Sequence, residues 1–386
     1  MPKDSTRLPT LLAAFLLTLG LAACLPSGNG LLGQGPLPPV LTRQGEQLPW
    51  AAFVARLRPQ RAVFVGEVHV RYDHHLVQLA VLKALYGQDP ALAVGLEWFQ
   101  RPYQQALDDW VAGRIDEAEM LHRSQYFERW RYDYRLVRPI LRWARERRVP
   151  LVALRPASEL SDAVSRHGLA GLSPAQRARL PAEIHPADPA YRADLEAIFE
   201  RHEGGRGELG RFLEVQRMWE ETMAEAAADY LHRHPRRRMA LLIGFGHMAD
   251  GHGVPADLKR RLAIPMATVM GNAERARGRV DYLVLNRPAT LPPAGLLGAF
   301  LDTGDGRVAI SGFSPGSAAP KAGLRKGDRI LAIDDRPVRH FADLKLALLA
   351  RRPGERVRVT VRRGEGKEAR TLTVAVPLVA APREED

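Results

Sequence analysis

The sequence predicts an α/β fold: a mainly parallel sheet with helices and a large helical insertion, followed by a second, small and mostly β domain. Three observations carry this reading. Short continuous apolar runs at residues 62–65, 92–96, 151–154, 239–243 and 268–270 have the length and uniformity of strands buried on both faces. Longer stretches of helical spacing alternate with them, the order expected of a parallel sheet with crossover helices. The proline-dense stretch Asn286-Arg287-Pro288-Ala289-Thr290-Leu291-Pro292-Pro293 then reads as a semi-rigid linker, and short β-branched runs at 357–361 and 372–376 follow it.

A chain of 386 residues exceeds one typical domain, and 46% apolar with 26% charged residues is enough to bury real cores. Val77, Val81 and Leu85, and later Phe212, Val215, Trp219, Met223, Ala226 and Tyr230, recur at helical spacing and are predicted to be core-facing stripes. Residues 100–235 read as almost entirely helical, more than one crossover needs, hence the insertion.

The start of the chain reads as an export signal. A short basic region up to Arg7 precedes an apolar run at 11–21, too short to span a bilayer comfortably, and Leu21-Ala22-Ala23-Cys24 closes it. That quartet resembles the lipobox of bacterial lipoproteins. The resemblance implies cleavage before Cys24, lipidation of Cys24 and a membrane-anchored body on the periplasmic or cell-surface side. Leu25 in place of Asp favours the outer membrane by the same resemblance. Cys24 is the one cysteine, which excludes an intrachain disulfide. Residues 24–48, rich in Gly, Pro, Leu and Ser and without period, are expected to form a flexible tether.

The formal net charge is +12, or +11 once Lys3, Asp4 and Arg7 are removed with residues 1–23. The excess lies in scattered arginines without interleaved aromatic platforms, so no nucleic-acid partner is expected.

Three predicted strands end in chemically capable residues: Gly66-Glu67-Val68-His69, Gly95-Leu96-Glu97-Trp98 and Gly244-Phe245-Gly246-His247. Ligands of open α/β sheets bind beyond the carboxyl ends of the strands, so Glu67, His69, Glu97 and His247 are expected to converge at one rim. Two imidazoles and two carboxylates could hold a divalent metal, through His69 and His247, or serve as acid and base without one. Each singly could also be a buried group fastening a loop. His74 and His75 fall at the start of the next helix, either lining the same mouth or solvated. Arg155 ends the run at 151–154, suited to a ligand carboxylate or to pairing with Glu97. His185 and His252 lie in loop-like sequence and are given no role.

These motifs, with the His74-His75 pair, Tyr132-Asp133-Tyr134-Arg135, Gln216-Arg217-Met218-Trp219-Glu220-Glu221 and Gly253-Val254-Pro255, resemble the ChaN-like haem-binding lipoproteins of the Tiki-type superfamily over most of residues 50–275. Phe245 and Arg155 depart from the family pattern, where a small polar residue and an Asn are common. The resemblance implies haem as cofactor and a role in iron or haem uptake, with Glu67, His69, His75, Glu97, Arg155 and His247 as ligand-binding candidates. Haem needs an axial His or Tyr, an apolar wall and basic partners for its propionates. Tyr72, Tyr103, Tyr126, Tyr132, Tyr134 and Tyr191 are available, with Trp98, Phe99 and Trp130 as wall and Arg101 or Arg155 as basic partners. Some relatives of this fold look like metal-dependent proteases or esterases. That reading makes Glu67, His69, Glu97 and His247 catalytic, with Glu67 as base.

Residues 294–378 resemble a bacterial PDZ domain, carried by Gly295-Leu296-Leu297-Gly298-Ala299-Phe300, Lys321-Ala322-Gly323-Leu324 and Gly327-Asp328-Arg329-Ile330. The resemblance implies a peptide or protein C-terminus as partner, held at Leu297, Gly298, Ala299 and Phe300 with Leu344 and Leu348 from the following helix. The expected division is a signal at 1–23, a tether at 24–48, the haem-binding domain at 49–287, a linker at 288–293, the PDZ domain at 294–378 and a charged tail at 379–386. A homo-oligomer stays open.

Overall fold

The computed structural model describes residues 37–203, 208–304 and 306–380. Cys24 with its export signal, and residues 381–386 of the tail, lie outside them.

The chain opens with β1 (Val40–Thr42), β2 (Gln47–Leu48), α1 (Trp50–Leu57), β3 (Ala62–Glu67), α2 (Tyr72–Gln88) and β4 (Leu92–Gln100). Then come α3 (Gln104–Val111), α4 (Glu117–Arg123), α5 (Tyr126–Arg129), α6 (Tyr134–Glu146), β5 (Leu151–Arg155), α7 (Ser158–His167), α8 (Pro174–Arg177), α9 (Pro189–Glu203) and α10 (Leu209–Arg233). The elements β6 (Arg238–Gly244), α11 (Val254–Arg261), β7 (Met266–Gly271) and β8 (Tyr282–Val284) complete the first domain. The second contains β9 (Ala299–Asp302), β10 (Ala309–Phe313), β11 (Arg329–Ile333), β12 (Arg336–Pro337), α12 (Phe341–Leu348), β13 (Arg356–Arg363) and β14 (Arg370–Pro377).

Eight strands form the first sheet in the order β2-β1-β8-β7-β3-β6-β4-β5. From β8 to β5 every pairing is parallel, so the predicted runs all enter one sheet and point the same way. Alternation along β3 explains why its run is uniformly apolar. Val63 and Val65 pack into one cluster with Phe53, Val77 and Leu85, while Ala62 and Phe64 pack into another with Met223, Leu241 and Val254.

The tether expectation needs correction at its end. Residues 40–48 form a hairpin that extends the sheet antiparallel to β8, with Val40 opposite Val284 and Leu48. The hairpin carries Val40 and Leu48 to full or near-full burial, which a short apolar pair gains by covering a sheet edge.

The expected helical insertion is present on both sides of β5. Its long last helix, α10, is buried on more than the predicted stripe, for Arg217, Glu220 and Glu221 are inaccessible as well. Among the described residues no helix is long and apolar enough to cross a membrane.

The second domain is a twisted antiparallel sheet, β14-β13-β11-β10-β9, with β12 beside β11 and α12 packed across it. It is docked against the first domain. Phe341 meets Phe127 edge-on at 5.7 Å, His340 stacks on His122 at 4.1 Å, and Arg135 donates to the Pro292 carbonyl at 2.7 Å.

Burial first, then His122 and Arg339, pushes the His340 ring below its ordinary pKa, although Asp343 and Glu119 pull the other way. The docked state therefore holds fewer protons than the undocked one, and docking weakens as pH falls below about 6.5. Limited proteolysis at residues 286–293 is expected to accelerate at pH 5.5 relative to pH 7.5, and His340→Phe to abolish the difference. Equal cleavage of the wild type at both values would dismiss this role of His340.

Candidate functional site

The carboxyl ends of β3, β4 and β6 and the loops beyond them bring Glu67, His69, Glu97 and His247 together, as their positions at strand ends require. Glu67 is 1% exposed and both of its oxygens are engaged. Oε1 accepts from His69 Nδ1 at 2.8 Å and Trp98 Nε1 at 3.0 Å, while Oε2 accepts from Gln78 Nε2 at 2.8 Å and lies 3.2 Å from His75 Nδ1. Burial works to raise the Glu67 pKa, yet His75, His69 and Gln78 outweigh it and hold the carboxyl at about 2. Such a group is a poor proton acceptor, so the assignment of Glu67 as a general base is corrected: it orients His69.

His69 has its Nδ1 committed to Glu67, which turns Nε2 toward Gly244 and Glu97. A Cβ at Gly244 would stand 3.0 Å from His69 Cε1 and 3.4 Å from Glu97 Oε2, so the absence of a side chain at Gly244 admits the imidazole. At Gly66 and Gly95 the equivalent space is filled by Met270, Met248 and Leu154. Glu97 Oε2 accepts from Gly244 N at 2.6 Å and its Oε1 lies 3.8 Å from His247 Nε2. His247 Nδ1 is bonded to Glu220 at 3.1 Å. Burial disfavours the charged form of His69 and His247, but Glu67 and Glu97 around the first, and Glu220 and Glu97 around the second, raise both pKa values.

Glu220 belongs to a buried network that sequence spacing did not disclose. Arg217 on α10 pairs with Glu220, with Glu221 at 3.2 Å and with Asp257 of α11 at 2.7 Å. Glu221 also takes Arg260, Arg261 and His185, and Tyr191 donates to Glu220. His185 thus acquires a structural role. His252 stacks on Tyr191 at 5.3 Å.

A cavity of about 780 Å³ opens over this rim, within the usual range for small-molecule sites. Tyr132, His69 and His247 line it with Leu195, Ile198, Phe212 and Phe245, and Arg275 and Arg279 share the lining. Tyr132 is the one of the six candidate tyrosines in this lining. Tyr126 and Tyr134 are buried, Tyr191 is held by Glu220, Tyr103 donates to Gln125, and Tyr72 borders a different cavity. Burial and Glu97 raise the Tyr132 pKa, and Arg155 opposes them.

Several expected contributors do not reach the cavity. His75 is buried behind Glu67, its Nε2 bonded to the His69 carbonyl at 3.0 Å. His74 is neither lining nor solvated: it accepts from Val68 N at 3.0 Å, and burial depresses its pKa to about 4. Trp98 and Phe99 are core residues, Trp130 packs on His69 at 4.8 Å, and Arg101 pairs with Glu225. Arg155 forms no ion pair with Glu97 but lies between Trp130 and Trp219, 5.4 and 4.6 Å from their rings. Phe212, expected to be core, instead lines the cavity, whereas Trp219 packs against the core cluster of Leu160 and Met218 as expected and also carries Arg155 over its ring. His69 and His247 do not form a metal centre with their neighbours: among the described residues no group of three or more His, Cys, Asp or Glu could hold a metal ion. Each ring is oriented by the bond its Nδ1 makes to its own carboxylate, which leaves Nε2 as the nitrogen that faces the rim.

In the second domain Gly298 adopts φ +68°, where a Cβ would fall 2.7 Å from Ser317 Oγ. Leu297, Leu344 and Leu348 are packed in the domain core, whereas Phe300 on β9 is 58% exposed. Strand β9, with Ala299 and Phe300, ends its sheet.

A parallel α/β sheet whose carboxyl rim presents Tyr, His and Arg around a partly apolar cavity has the layout of a small-ligand site. The sequence model described as "Haem-binding uptake, Tiki superfamily, ChaN" matches residues 53–258, and the chain belongs to this family. A PDZ domain model matches residues 295–377. ChaN of Campylobacter jejuni, whose structure is titled for cofacial heme binding, is similar with TM-score 0.54 and 15% identity over 65% of this chain and 97% of that one, a likeness of fold. The PDZ domain of the carboxy-terminal protease from Vibrio cholerae, in complex with peptide, is 25% identical over 24% of this chain and 99% of that one, with TM-score 0.20. No curated protein matches the chain in sequence.

The fully buried Glu67 supplies a test of this geometry. Its folded pKa lies below its unfolded value, so it contributes stability that is present above about pH 4.5 and is lost as pH falls toward 2, about 3 kcal/mol in all. Urea unfolding of Glu67→Gln between pH 2 and 4.5 is expected to show a pH dependence flatter than the wild type by about that amount. Parallel curves would mean that Glu67 is not the buried anion described.

Proposed function

We propose that this protein binds haem at the carboxyl rim of its sheet and serves iron or haem uptake, anchored to a membrane through lipidated Cys24 on the periplasmic or outer side. The observation that carries the reading is the shared lining of one cavity: Tyr132, His69 and His247 as iron-ligand types, Phe212, Phe245, Leu195 and Ile198 as apolar surface, and Arg275 as a basic group for a propionate beside Arg279, which is itself paired with Asp194 and Asp250. These residues fit the group. Haem, when bound, supplies an iron centre that a Tyr or His of the rim completes. The chain's own contribution is orientation: Glu67 holds His69, Glu220 holds His247, and Trp130 backs the His69 ring.

Titration of the protein with hemin is expected to give a saturable, shifted Soret band, weakened about ten-fold or more by Tyr132→Phe or His247→Ala. Absence of a saturable shift, or indifference to both substitutions and to His69→Ala, would reject the site.

The PDZ domain is proposed to recruit a peptide or protein C-terminus as an added strand beside β9, whose outer edge meets no other strand among the described residues and whose Phe300 is exposed. The left-handed Gly298 turns the loop backbone toward a terminal carboxylate. A peptide with an apolar last residue and a free carboxylate is expected to bind about ten-fold tighter than its amide, the worth of one charge-assisted hydrogen bond. Equal affinity for acid and amide would instead indicate recognition of an internal segment.

A further inference from the structure

The opposite end of the sheet gathers arginines that neither the haem reading nor the PDZ domain uses. Arg58, Arg61, Arg236, Arg237 and Arg238 line a surface cavity of about 440 Å³, where the amino ends of β3 and β6 meet the carboxyl ends of α1 and α2. Asp89 is the one carboxylate in that lining, and its Oδ1 is bonded to Ala91 N at 2.8 Å.

Three of the guanidinium groups are fixed in place by neutral acceptors. Arg61 donates to the carbonyls of Leu231 at 2.8 Å and Arg237 at 3.4 Å, and Arg237 to that of Leu92 at 3.1 Å. Arg238 donates to the Leu57 carbonyl at 2.6 Å and to Gln88 Oε1 at 3.1 Å. A carbonyl orients a guanidinium without cancelling its charge. Arg238 is only 8% exposed, and its Nε has no partner. Arg58 and Arg236 stand exposed at the edge of the cavity.

Capping of helix ends accounts for Arg61 on α10 and Arg238 on α1. It leaves Arg58, Arg236 and the unpartnered Nε of Arg238 without a role. Each helix carboxyl end carries about half a negative charge. Together with Asp89 these ends offset part of five arginines and leave the cavity cationic. Preorganised guanidinium forks around a cavity match an anion with several oxygens at tetrahedral spacing.

We propose that this basin binds phosphate groups, borne either by a lipid headgroup or by a free phosphate. The site lies across the sheet from the haem rim and is independent of the haem reading.

The test uses the full chain carrying Cys24→Ser, with two probes: inorganic pyrophosphate by calorimetry, and phosphatidylglycerol vesicles by co-sedimentation, corrected for binding to phosphatidylcholine vesicles. Arg58→Ser/Arg236→Ser is expected to weaken binding about ten-fold or more. Arg352→Ser/Arg362→Ser, which removes the same charge from exposed positions of the PDZ domain, is expected to leave it nearly unchanged. Vesicle binding displaced by pyrophosphate supports a lipid headgroup, and pyrophosphate binding without vesicle binding supports a free phosphate. Binding of neither probe, or equal weakening by both double variants, overturns the proposal.

Discussion

A carboxylate sealed from water costs several kcal/mol unless its oxygens are met by donors. At Glu67 the donors come from three separate parts of the chain: Gln78 and His75 from α2, Trp98 from β4, and His69 from the loop after β3. The end of β3 is thereby locked to the helix that follows it and to a strand that lies two places away in the sheet. The position of His69 is a consequence, since an imidazole with Nδ1 pinned to a buried anion has one remaining nitrogen to offer. Trp130 and Tyr132, at 4.8 and 5.0 Å from that ring, are positioned against it.

The second rim histidine is anchored by a different device. His247 leans on Glu220, which is held by Arg217, and Arg217 in turn bridges α10 to α11 through Asp257. Three carboxylates, Glu220, Glu221 and Asp257, face three arginines, Arg217, Arg260 and Arg261, so the buried network is close to neutral. Removal of one member would leave an unpaired buried charge, the costly case for such clusters. With Glu97 near both rings, the rim combines two imidazoles of raised pKa with a carboxylate between them, which favours their charged forms.

The strands were legible in sequence because burial on both faces makes them continuous apolar runs, and the four rim residues were legible because they end those runs. Most of what could not be read belongs to the helical insertion. Phe212 shares the helical period of core residues, and only the placement of α10 beside the rim turns it toward a cavity. Glu220, adjacent to that stripe, looks in sequence like any solvated helix carboxylate, and its burial depends on Arg217 and α11, some forty residues apart. Tyr132 could not be separated from five other tyrosines for the same reason: its selection is a matter of which loop crosses the mouth. The hairpin at 40–48 escaped because three-residue strands carry no measurable period.

Parallel strands give the domain two chemically different ends. At the carboxyl rim, loops free of helical hydrogen bonding supply side chains in pairs, each His with its Glu, so charge is locally compensated and tunable. At the amino end, chain segments enter the strands beside helix carboxyl ends, whose unpaired carbonyls demand donors. Arginine answers that demand with more donors than the carbonyls consume and brings a full charge that a carbonyl does not cancel. The six residues of β3 put about 20 Å between the two ends, beyond the screening length of about 8 Å at physiological ionic strength. The same sheet can face a phosphate-bearing surface with one end while the other remains open to a ligand.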